Sequence, residues 1–389
     1  MPQRTGIDEV LRAATDRGDV PGVVAMAATR DGTCYEGAFG RRALPDGAAM
    51  TAGSVFWIAS MTKAITSTAA MQLVEQGKLA LDRPIADVLP ELAAPQVLEG
   101  FDAAGEPKLR AAARPITLRH LITHTAGFCY DIWNPQVARY VERKEIPSIF
   151  TCQNAALMLP LAFDPGQRWE YGVNIDWIGK AVERVSGRRL GDYFAEHLFG
   201  PIGMKDTGFK LTPERRARLV GMHSRGEDGV LAPMEFEMPQ KPEFEMGGGG
   251  LYGTAADYLA FARVFLTEGR AEDGRQVLRS ETVRLMAENA MGELNVRALP
   301  AAPPYSNEAE FFPGIVKKWG LGLTISTEAV PGGRSAGSLA WAGLGNTYFW
   351  IDPAKGVAGV ILMQLIPFAD VKALAVFAGF EAAVYAALS

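Results

Sequence analysis

A serine and a lysine three residues apart, Ser60 and Lys63, have types and spacing that could do chemistry together. The residues that follow, up to Gly77, contain no Gly or Pro, and their apolar positions recur at helical spacing, which predicts a helix. In a helix, residues three apart lie on one face, so the lysine amine would lie one turn from the serine hydroxyl. A serine hydroxyl becomes a nucleophile when a nearby base takes its proton, and a lysine with a lowered pKa can be that base. The pair predicts a nucleophilic serine that needs no histidine; the alternative is an N-cap serine followed by a solvated lysine.

Composition sets the broad class of the protein. The chain has 389 residues, of which 48% are hydrophobic and 21% charged, so it has ample material for a core. The net charge of -5 gives no reason to expect nucleic acid or an anionic membrane as a partner. No apolar run reaches about 18 residues, so a membrane span is not expected.

Cysteine usage and the N-terminus bear on the compartment. The three cysteines, Cys34, Cys129 and Cys152, form no CxxC pair, which indicates free thiols in a reducing compartment. The first ten residues lack the apolar segment of a secretory signal. Together these features predict a cytoplasmic protein.

The order of predicted elements indicates an α+β fold. A helix is predicted at residues 7–17 and strands at 23–28 and 33–39, and the C-terminal part of the chain has a strand pattern again before a helix from about Val371. The late strands are predicted near 319–325, 337–343, 346–351 and 357–364. This order predicts one antiparallel sheet built from both chain ends and flanked by helices, with a helical domain inserted between them. The predicted α/β domain comprises residues 1–80 and 250–389, the helical domain residues 81–249, and the active site lies between the two.

Two histidines at metal-ligand spacing, His120 and His124, lie in a predicted helix that Thr117 caps and Gly127 ends. No Glu follows His120, as His-Glu-x-x-His would require, and no third ligand is evident. We interpret both histidines as hydrogen-bonded packing residues and predict no metal.

Several further stretches accompany the Ser-x-x-Lys pair along the chain. They are Leu118–Gly127, Pro165-Gly166 with Tyr171, Gly247–Gly250 and Trp341-Ala342-Gly343. In this order the landmarks resemble the serine β-lactamase and penicillin-recognising superfamily, in its class C-like branch, and most specifically the family VIII carboxylesterases. The resemblance covers nearly the whole chain. It implies a β-lactamase/penicillin-binding-protein-like fold and acyl-enzyme chemistry on a serine, without a cofactor.

The resemblance also assigns roles to residues. It implies that Ser60 is the nucleophile, that Lys63 assists its deprotonation, and that Tyr171 works with the lysine as general base and proton relay. The backbone N–H groups of Ser60 and Leu344 would form the oxyanion hole. The residues expected to contact substrate are Tyr130, Trp341, Ala342 and Gly343.

Two departures from the lactamase pattern favour neutral esters as substrates. Trp341 stands where class C lactamases have the lysine of Lys-Thr-Gly, so an aromatic wall replaces a carboxylate-binding cation. Val173 stands at the position of the lactamase asparagine, with Asn174 one step late. Arg334 is close enough in sequence to supply a substitute cation, so lactam turnover stays open.

A second esterase-like signature, Gly333-Arg334-Ser335-Ala336-Gly337, fits the Gly-x-Ser-x-Gly nucleophile elbow. That elbow requires a strand, a turn and a helix, with an acid and a histidine following in the chain. No histidine follows His223, and strands are predicted after Gly337. We therefore interpret Ser335 as unrelated to catalysis.

These observations predict a serine carboxylesterase that hydrolyses short or medium-chain acyl esters through an acyl-serine intermediate. The alternatives are a class C-like β-lactamase or D-amino peptidase, an acyltransferase on the same fold, and a non-catalytic binding protein. The expected partner is a small-molecule ester, with no nucleic acid and no membrane, and the sequence leaves monomer and homodimer open.

Overall fold

The computed structural model describes residues 2–388, so Met1 and Ser389 lie outside the described residues. The helices are α1 Pro2–Asp16, α2 Thr62–Glu75, α3 Leu118–Ile122, α4 Pro135–Arg143, α5 Asn174–Ser186, α6 Leu190–Phe194, α7 Gly200–Ile202, α8 Pro213–Arg216, α9 Ala255–Leu266, α10 Ser280–Ala287 and α11 Val371–Leu388. The strands are β1 Gly22–Thr29, β2 Thr33–Gly40, β3 Phe56–Trp57, β4 Gln96–Phe101, β5 Pro107–Ala111, β6 Met222–Arg225, β7 Leu231–Met234, β8 Tyr252–Gly253, β9 Lys317–Trp319, β10 Thr324–Ser326, β11 Leu339–Gly343, β12 Thr347–Asp352, β13 Val357–Leu362 and β14 Leu365–Ile366.

Seven strands form the central sheet in the order β2-β1-β13-β12-β11-β10-β9, and every neighbouring pair is antiparallel. The strand β1, from the start of the chain, pairs with β13, from its end. The sheet is therefore assembled from both chain ends, as the sequence predicts. The fold class is α+β, an antiparallel sheet flanked by helices, as the sequence predicts.

Helices cover both faces of this sheet. Neighbouring residues of a strand point to opposite faces. On β12, Phe349 contacts Tyr258 of α9, whereas Trp350 contacts Phe377 and Phe380 of α11. The two helices therefore lie on opposite faces, and β12 and β13 are buried along their whole length.

A short strand pair fixes the chain just before Ser60. Strand β3 pairs with β8, so Phe56 lies opposite Gly253 and Trp57 opposite Tyr252. The indole N–H of Trp57 also donates to the carbonyl oxygen of Gly249 at 2.7 Å. These contacts hold the start of α2 against the glycine-rich segment 247–250.

Most of the predicted elements are confirmed within a few residues, with two differences. The strand predicted at 319–325 is replaced by two short antiparallel strands, β9 and β10. A turn at 320–323, which contains two glycines, folds the chain back between them. The helix predicted from Thr117 ends at Ile122, well before Gly127. The division into residues 1–80 with 250–389 and 81–249 stays a prediction.

One helix within residues 2–388, α11, is long and apolar enough to cross a membrane by length and composition alone. It carries Glu381 on a buried position and packs on the sheet through Phe377 and Phe380. A core helix passes the same test of length and composition.

Candidate active site

Ser60 lies in a single 3₁₀ turn, Ala59–Met61, directly before α2. Ala59 has a left-handed backbone conformation with φ of 45°, which is costly for a residue with a Cβ and is found most often at functional sites. The helix itself begins at Thr62, so the serine precedes the helix rather than lying within it. This turn presents the Ser60 hydroxyl to a cavity.

Lys63 is fully buried beside Ser60 and is surrounded by neutral oxygens. Its amine donates to Ser60 Oγ at 3.1 Å, to the Tyr130 hydroxyl at 3.1 Å and to the Gly248 carbonyl oxygen at 2.6 Å. Burial lowers the pKa of Lys63 to about 7, while the charge of Asp176 acts in the opposite direction. The Lys63 amine can therefore lose its proton near pH 7, and the neutral amine can accept the proton of Ser60.

Asp176, a residue that sequence reasoning missed, supports this lysine from α5. Its Oδ1 accepts a hydrogen bond from the Gly248 N–H at 2.7 Å, and the Gly248 carbonyl in turn accepts from Lys63. A Cβ on Gly248 would lie 2.5 Å from Asp176 Oδ2, so only glycine permits this approach. Burial raises the pKa of Asp176 to about 6, and Lys63 opposes that rise. The available signal was a carboxylate within the apolar run of a predicted helix.

Tyr171 reaches the site from the turn before α5. Its hydroxyl accepts a hydrogen bond from Trp341 Nε1 at 2.9 Å, and its ring centroid lies 4.5 Å from Lys63 Nζ. Burial raises the pKa of Tyr171 above its usual value, although hydrogen bonds with Ser60 and Trp341 lower it. The phenol is therefore protonated at neutral pH and can donate a proton next to Ser60.

Tyr130, predicted only to contact substrate, is also a direct neighbour of the base. Its hydroxyl accepts from Lys63, and its backbone N–H donates to the Tyr171 carbonyl oxygen at 3.1 Å. Burial raises the pKa of Tyr130 well above the usual value. The structure thus brings two phenols to one amine, where the sequence indicated one.

The residues expected to form the oxyanion hole meet at the turn after β11. Leu344 lines the same cavity as Ser60, and its N–H donates to no backbone oxygen among residues 2–388. Gly343, expected to contact substrate, instead packs against the turn before Ser60, where an added Cβ would lie 2.5 Å from the Ile58 carbonyl oxygen. Gly343 lines no cavity that contains Ser60. Its lack of a side chain lets β11 approach the nucleophile closely.

Ser60 opens on a largely apolar cavity of about 300 Å³, which we call the catalytic cavity. It is lined by Trp57, Ala59, Ser60, Tyr130, Asp131, Ile132, Trp133, Ser148, Ile149, Phe150, Met246, Gly249, Tyr305 and Leu344. A narrow space of about 10 Å³ joins Ser60 to Tyr171, Trp341 and Ala342. A pocket of this size and lining suits an acyl chain or an alcohol with an apolar body.

The two histidines differ from each other. His120 caps the start of α3, since its Nδ1 accepts from the Thr117 N–H at 3.2 Å. His124 is buried between Tyr171 and Trp319; its Nδ1 lies 3.1 Å from Asn174 Nδ2, and its Nε2 has no hydrogen-bond partner in the part of the chain that the structure describes. The interpretation as a hydrogen-bonded packing residue therefore holds for His120. For His124 it holds for Nδ1 and not for Nε2. No group of three potential metal ligands occurs within residues 2–388.

Arg334 and Ser335 take no part in this site. Arg334 does not supply a substitute cation to this site, because it lines neither the catalytic cavity nor the narrow space beside Ser60; it is paired with Glu381 of α11. Ser335 is followed by β11 and not by a helix, and its backbone N–H donates to Asp352 at 2.8 Å. It also lines neither space that contains Ser60.

Comparisons with known proteins identify the family of this chain. The chain is 33% identical over 403 residues to the monacolin J acid methylbutanoyltransferase of Aspergillus terreus, covering 98% of this chain and 95% of that protein. It is 34% identical to the lovastatin esterase of Penicillium rubens, covering 92% of each. The structure of simvastatin synthase (LovD) from Aspergillus terreus superposes with a TM-score of 0.86 at 31% identity, over 99% of this chain and 98% of that one. The Beta-lactamase family model matches residues 7–379. The chain is therefore a member of the Beta-lactamase family and an acyl-transferring serine enzyme.

Proposed function

We propose that this protein transfers an acyl group from an ester or thioester to an alcohol through an acyl-Ser60 intermediate. The observation that carries the proposal is the 3.1 Å contact between the fully buried Lys63 Nζ and Ser60 Oγ at the mouth of the catalytic cavity, across which the serine hydroxyl can donate once the amine is neutral. Relatives that match over more than nine-tenths of the chain are named as acyltransferases, which supports transfer over simple hydrolysis.

In the first half of the reaction, the neutral Lys63 amine takes the Ser60 proton, and Oγ attacks the acyl carbonyl carbon. The N–H groups of Ser60 and Leu344 stabilise the negative charge that develops on the carbonyl oxygen. The bond to the leaving alcohol or thiol then breaks. Its oxygen or sulfur receives a proton from the Tyr171 phenol, and the proton held by Lys63 restores that phenol.

In the second half, an alcohol in the catalytic cavity attacks the acyl-serine ester. Its proton returns by the same groups to Ser60 Oγ, the new ester leaves, and Lys63 is neutral again. Water can replace the alcohol in this step, which gives a carboxylic acid. The partition between the two acceptors decides whether the enzyme is a transferase or an esterase.

Trp341 gives the site a preference for neutral substrates. Its indole N–H is committed to the Tyr171 hydroxyl, and its ring forms an apolar wall where class C lactamases have a lysine. The nearest sequence candidate for a replacement cation, Arg334, lines neither space that contains Ser60. The lactamase alternative therefore lacks its carboxylate-binding group.

Hydrolysis is the second candidate function, because the relative with 34% identity is named a lovastatin esterase. In this form the protein would be a carboxylesterase of the family VIII type that releases short or medium-chain acids.

The test is a partition experiment. The protein is mixed with acyl thioesters of increasing chain length and a fixed excess of an apolar alcohol, and the ester and free acid are quantified. We expect the ratio of ester to free acid to be far above the ratio of alcohol to water concentration. We expect Ser60→Ala to form neither product. Free acid as the only product at every chain length would reject the transferase and leave the esterase.

A further inference from the structure

A second cavity, of about 280 Å³, nearly equals the catalytic cavity in volume but does not contain Ser60. We call it the Arg334 cavity; it is bounded by Phe312, Lys317, Arg334, Tyr348 and Phe377 among others. Leu299 and Trp341 line both this cavity and the narrow space beside Ser60, so the two spaces are neighbours. Its volume is close to the lower end, about 300 Å³, of ordinary small-molecule sites.

Part of the wall is aromatic. Phe311, Phe312, Tyr348 and Phe377 are among the lining residues, with Thr324 and Ser326 of β10 at one side. Such a wall accommodates a flat or aliphatic ligand body.

Arg334 is the buried polar group of this cavity, with 2% of its surface exposed. Its Nε and Nη2 donate to the two Glu381 oxygens at 2.8 and 2.5 Å, and its guanidinium lies 5.0 Å from the Phe312 ring centroid. The third nitrogen, Nη1, has no hydrogen-bond acceptor among residues 2–388. Nη1 is not among the fully buried side-chain atoms that lack a partner, so it is accessible, and a ligand oxygen in the cavity can accept a charge-assisted hydrogen bond from it.

The charges at the cavity favour an anion. The lining includes three cationic residues, Arg297, Lys317 and Arg334, and one acidic residue, Glu310, while Glu381 behind the wall pairs with Arg334, so these five groups carry a net charge of +1. Lys317 is half-buried on the edge strand β9, and its amine donates to the Phe312 carbonyl oxygen at 2.7 Å. A carboxylate would therefore meet two cations at the aromatic wall.

We propose that the Arg334 cavity is a second ligand site, which binds a small carboxylic acid with an aromatic or aliphatic body. The carboxylate lies against Arg334 and Lys317, and the body of the acid packs on Phe312 and Phe377. The proposal does not depend on acyl transfer at Ser60, and its test measures binding and not turnover.

The first experiment is isothermal titration of the full-length Ser60→Ala protein with 4-phenylbutyrate and, as a matched neutral probe, 4-phenylbutanol. We expect the acid to bind at one site at least about tenfold more tightly than the alcohol, because only the acid makes charge-assisted hydrogen bonds. Equal affinities, or no heat with the acid up to about 10 mM, would overturn the proposal.

Matched variants then locate the site. Ala340→Phe fills the Arg334 cavity, and Ile132→Trp narrows only the catalytic cavity. We expect Ala340→Phe to abolish binding of the acid and Ile132→Trp to leave it unchanged. The opposite pattern would place the acid in the catalytic cavity and refute the assignment.

Lys317→Met provides a variant that keeps the volume of the cavity, in case Ala340→Phe does not fold. This variant should bind 4-phenylbutyrate about tenfold more weakly and 4-phenylbutanol with unchanged affinity. An equal loss of affinity for both would contradict anion recognition. The carboxylate could come from a released acid or from a hydroxy acid acceptor. Tighter binding of 4-hydroxy-4-phenylbutyrate than of 4-phenylbutyrate indicates the acceptor, and equal binding of the two indicates a simple acid.

Discussion

Two cations are buried almost completely in this protein, and their partners differ. Lys63 binds three neutral oxygens, from Ser60, Tyr130 and Gly248, and no carboxylate lies within hydrogen-bond distance of its amine in the described part of the chain. Arg334 binds both oxygens of Glu381 directly. A buried ammonium without a contacting carboxylate is destabilised relative to the neutral amine, which is what a base requires. A guanidinium in a bidentate pair stays a cation, which suits recognition of an anion.

Asp176 makes the contrast sharper. Its charge raises the pKa of Lys63, but its carboxylate accepts a hydrogen bond from the Gly248 backbone N–H and not from the lysine. The carboxylate therefore acts on the lysine at a distance and also holds the carbonyl group that orients the amine. A direct ion pair at this place would keep Lys63 protonated and inactive as a base.

The largest expected effect comes from replacing Lys63 by arginine, which would stay charged as Arg334 does. Lys63→Arg keeps a positive charge beside Ser60 but removes a group that can lose a proton at neutral pH. We expect kcat/KM for acyl transfer to fall by at least about 10³-fold, since the serine loses its base. Ser335→Ala, measured in parallel with a p-nitrophenyl ester, should retain full activity. A Lys63→Arg protein with near-normal turnover would show that Lys63 is not the base.

Breaking the Arg334 pair should affect stability rather than chemistry. Glu381→Gln leaves a buried guanidinium without its counter-charge, which we expect to cost about 3–5 kcal/mol in free energy of unfolding. The double variant Arg334→Met with Glu381→Met removes both charges and should recover most of that loss. Urea denaturation followed by circular dichroism measures all three proteins. A double variant as unstable as Glu381→Gln alone would contradict the pairing argument.

A smaller effect is expected at Trp341, which lines both the Arg334 cavity and the narrow space beside Ser60. Trp341→Phe keeps an aromatic wall but removes the N–H that donates to the Tyr171 hydroxyl. We expect kcat to fall about tenfold, in line with one lost hydrogen bond, with little change in KM for a neutral thioester. Steady-state kinetics against chain length checks this. A change in KM with unchanged kcat would assign Trp341 to substrate binding only.

The smallest effect is a shift in pH dependence. Acylation requires the neutral Lys63 amine, so kcat/KM should rise with pH through the lysine pKa of about 7. Asp176→Asn removes the charge that raises this pKa but keeps an oxygen for the Gly248 N–H. The acidic limb of the pH profile should therefore move to lower pH. Movement to higher pH, or no movement, would show that Asp176 does not act on Lys63 electrostatically.

Features set by local spacing could be predicted from the sequence. The Ser60 and Lys63 pair follows from helical geometry, and the alternating pattern of the late strands predicts the sheet. In each case, the signal lies in residues adjacent in the chain.

Features set by tertiary packing could not be predicted in this way. Asp176 and Gly248 are 72 residues apart and meet only when α5 packs beside α2. Arg334 is near Trp341 in sequence, but the loop between them directs it to Glu381, 47 residues later in α11. The sequence shows the sign of a charge but not whether a carboxylate will contact it, and that contact distinguishes Lys63 from Arg334.

The most direct test of the account is to trap the acyl-enzyme. The protein is incubated briefly with an acyl thioester, quenched in acid and digested, and the peptides are analysed by mass spectrometry. We predict one acyl group on the peptide that contains Ser60, still present in Ser335→Ala and absent from both Ser60→Ala and Lys63→Arg. An acyl group that persists at full occupancy in the Ser60→Ala protein would contradict the account.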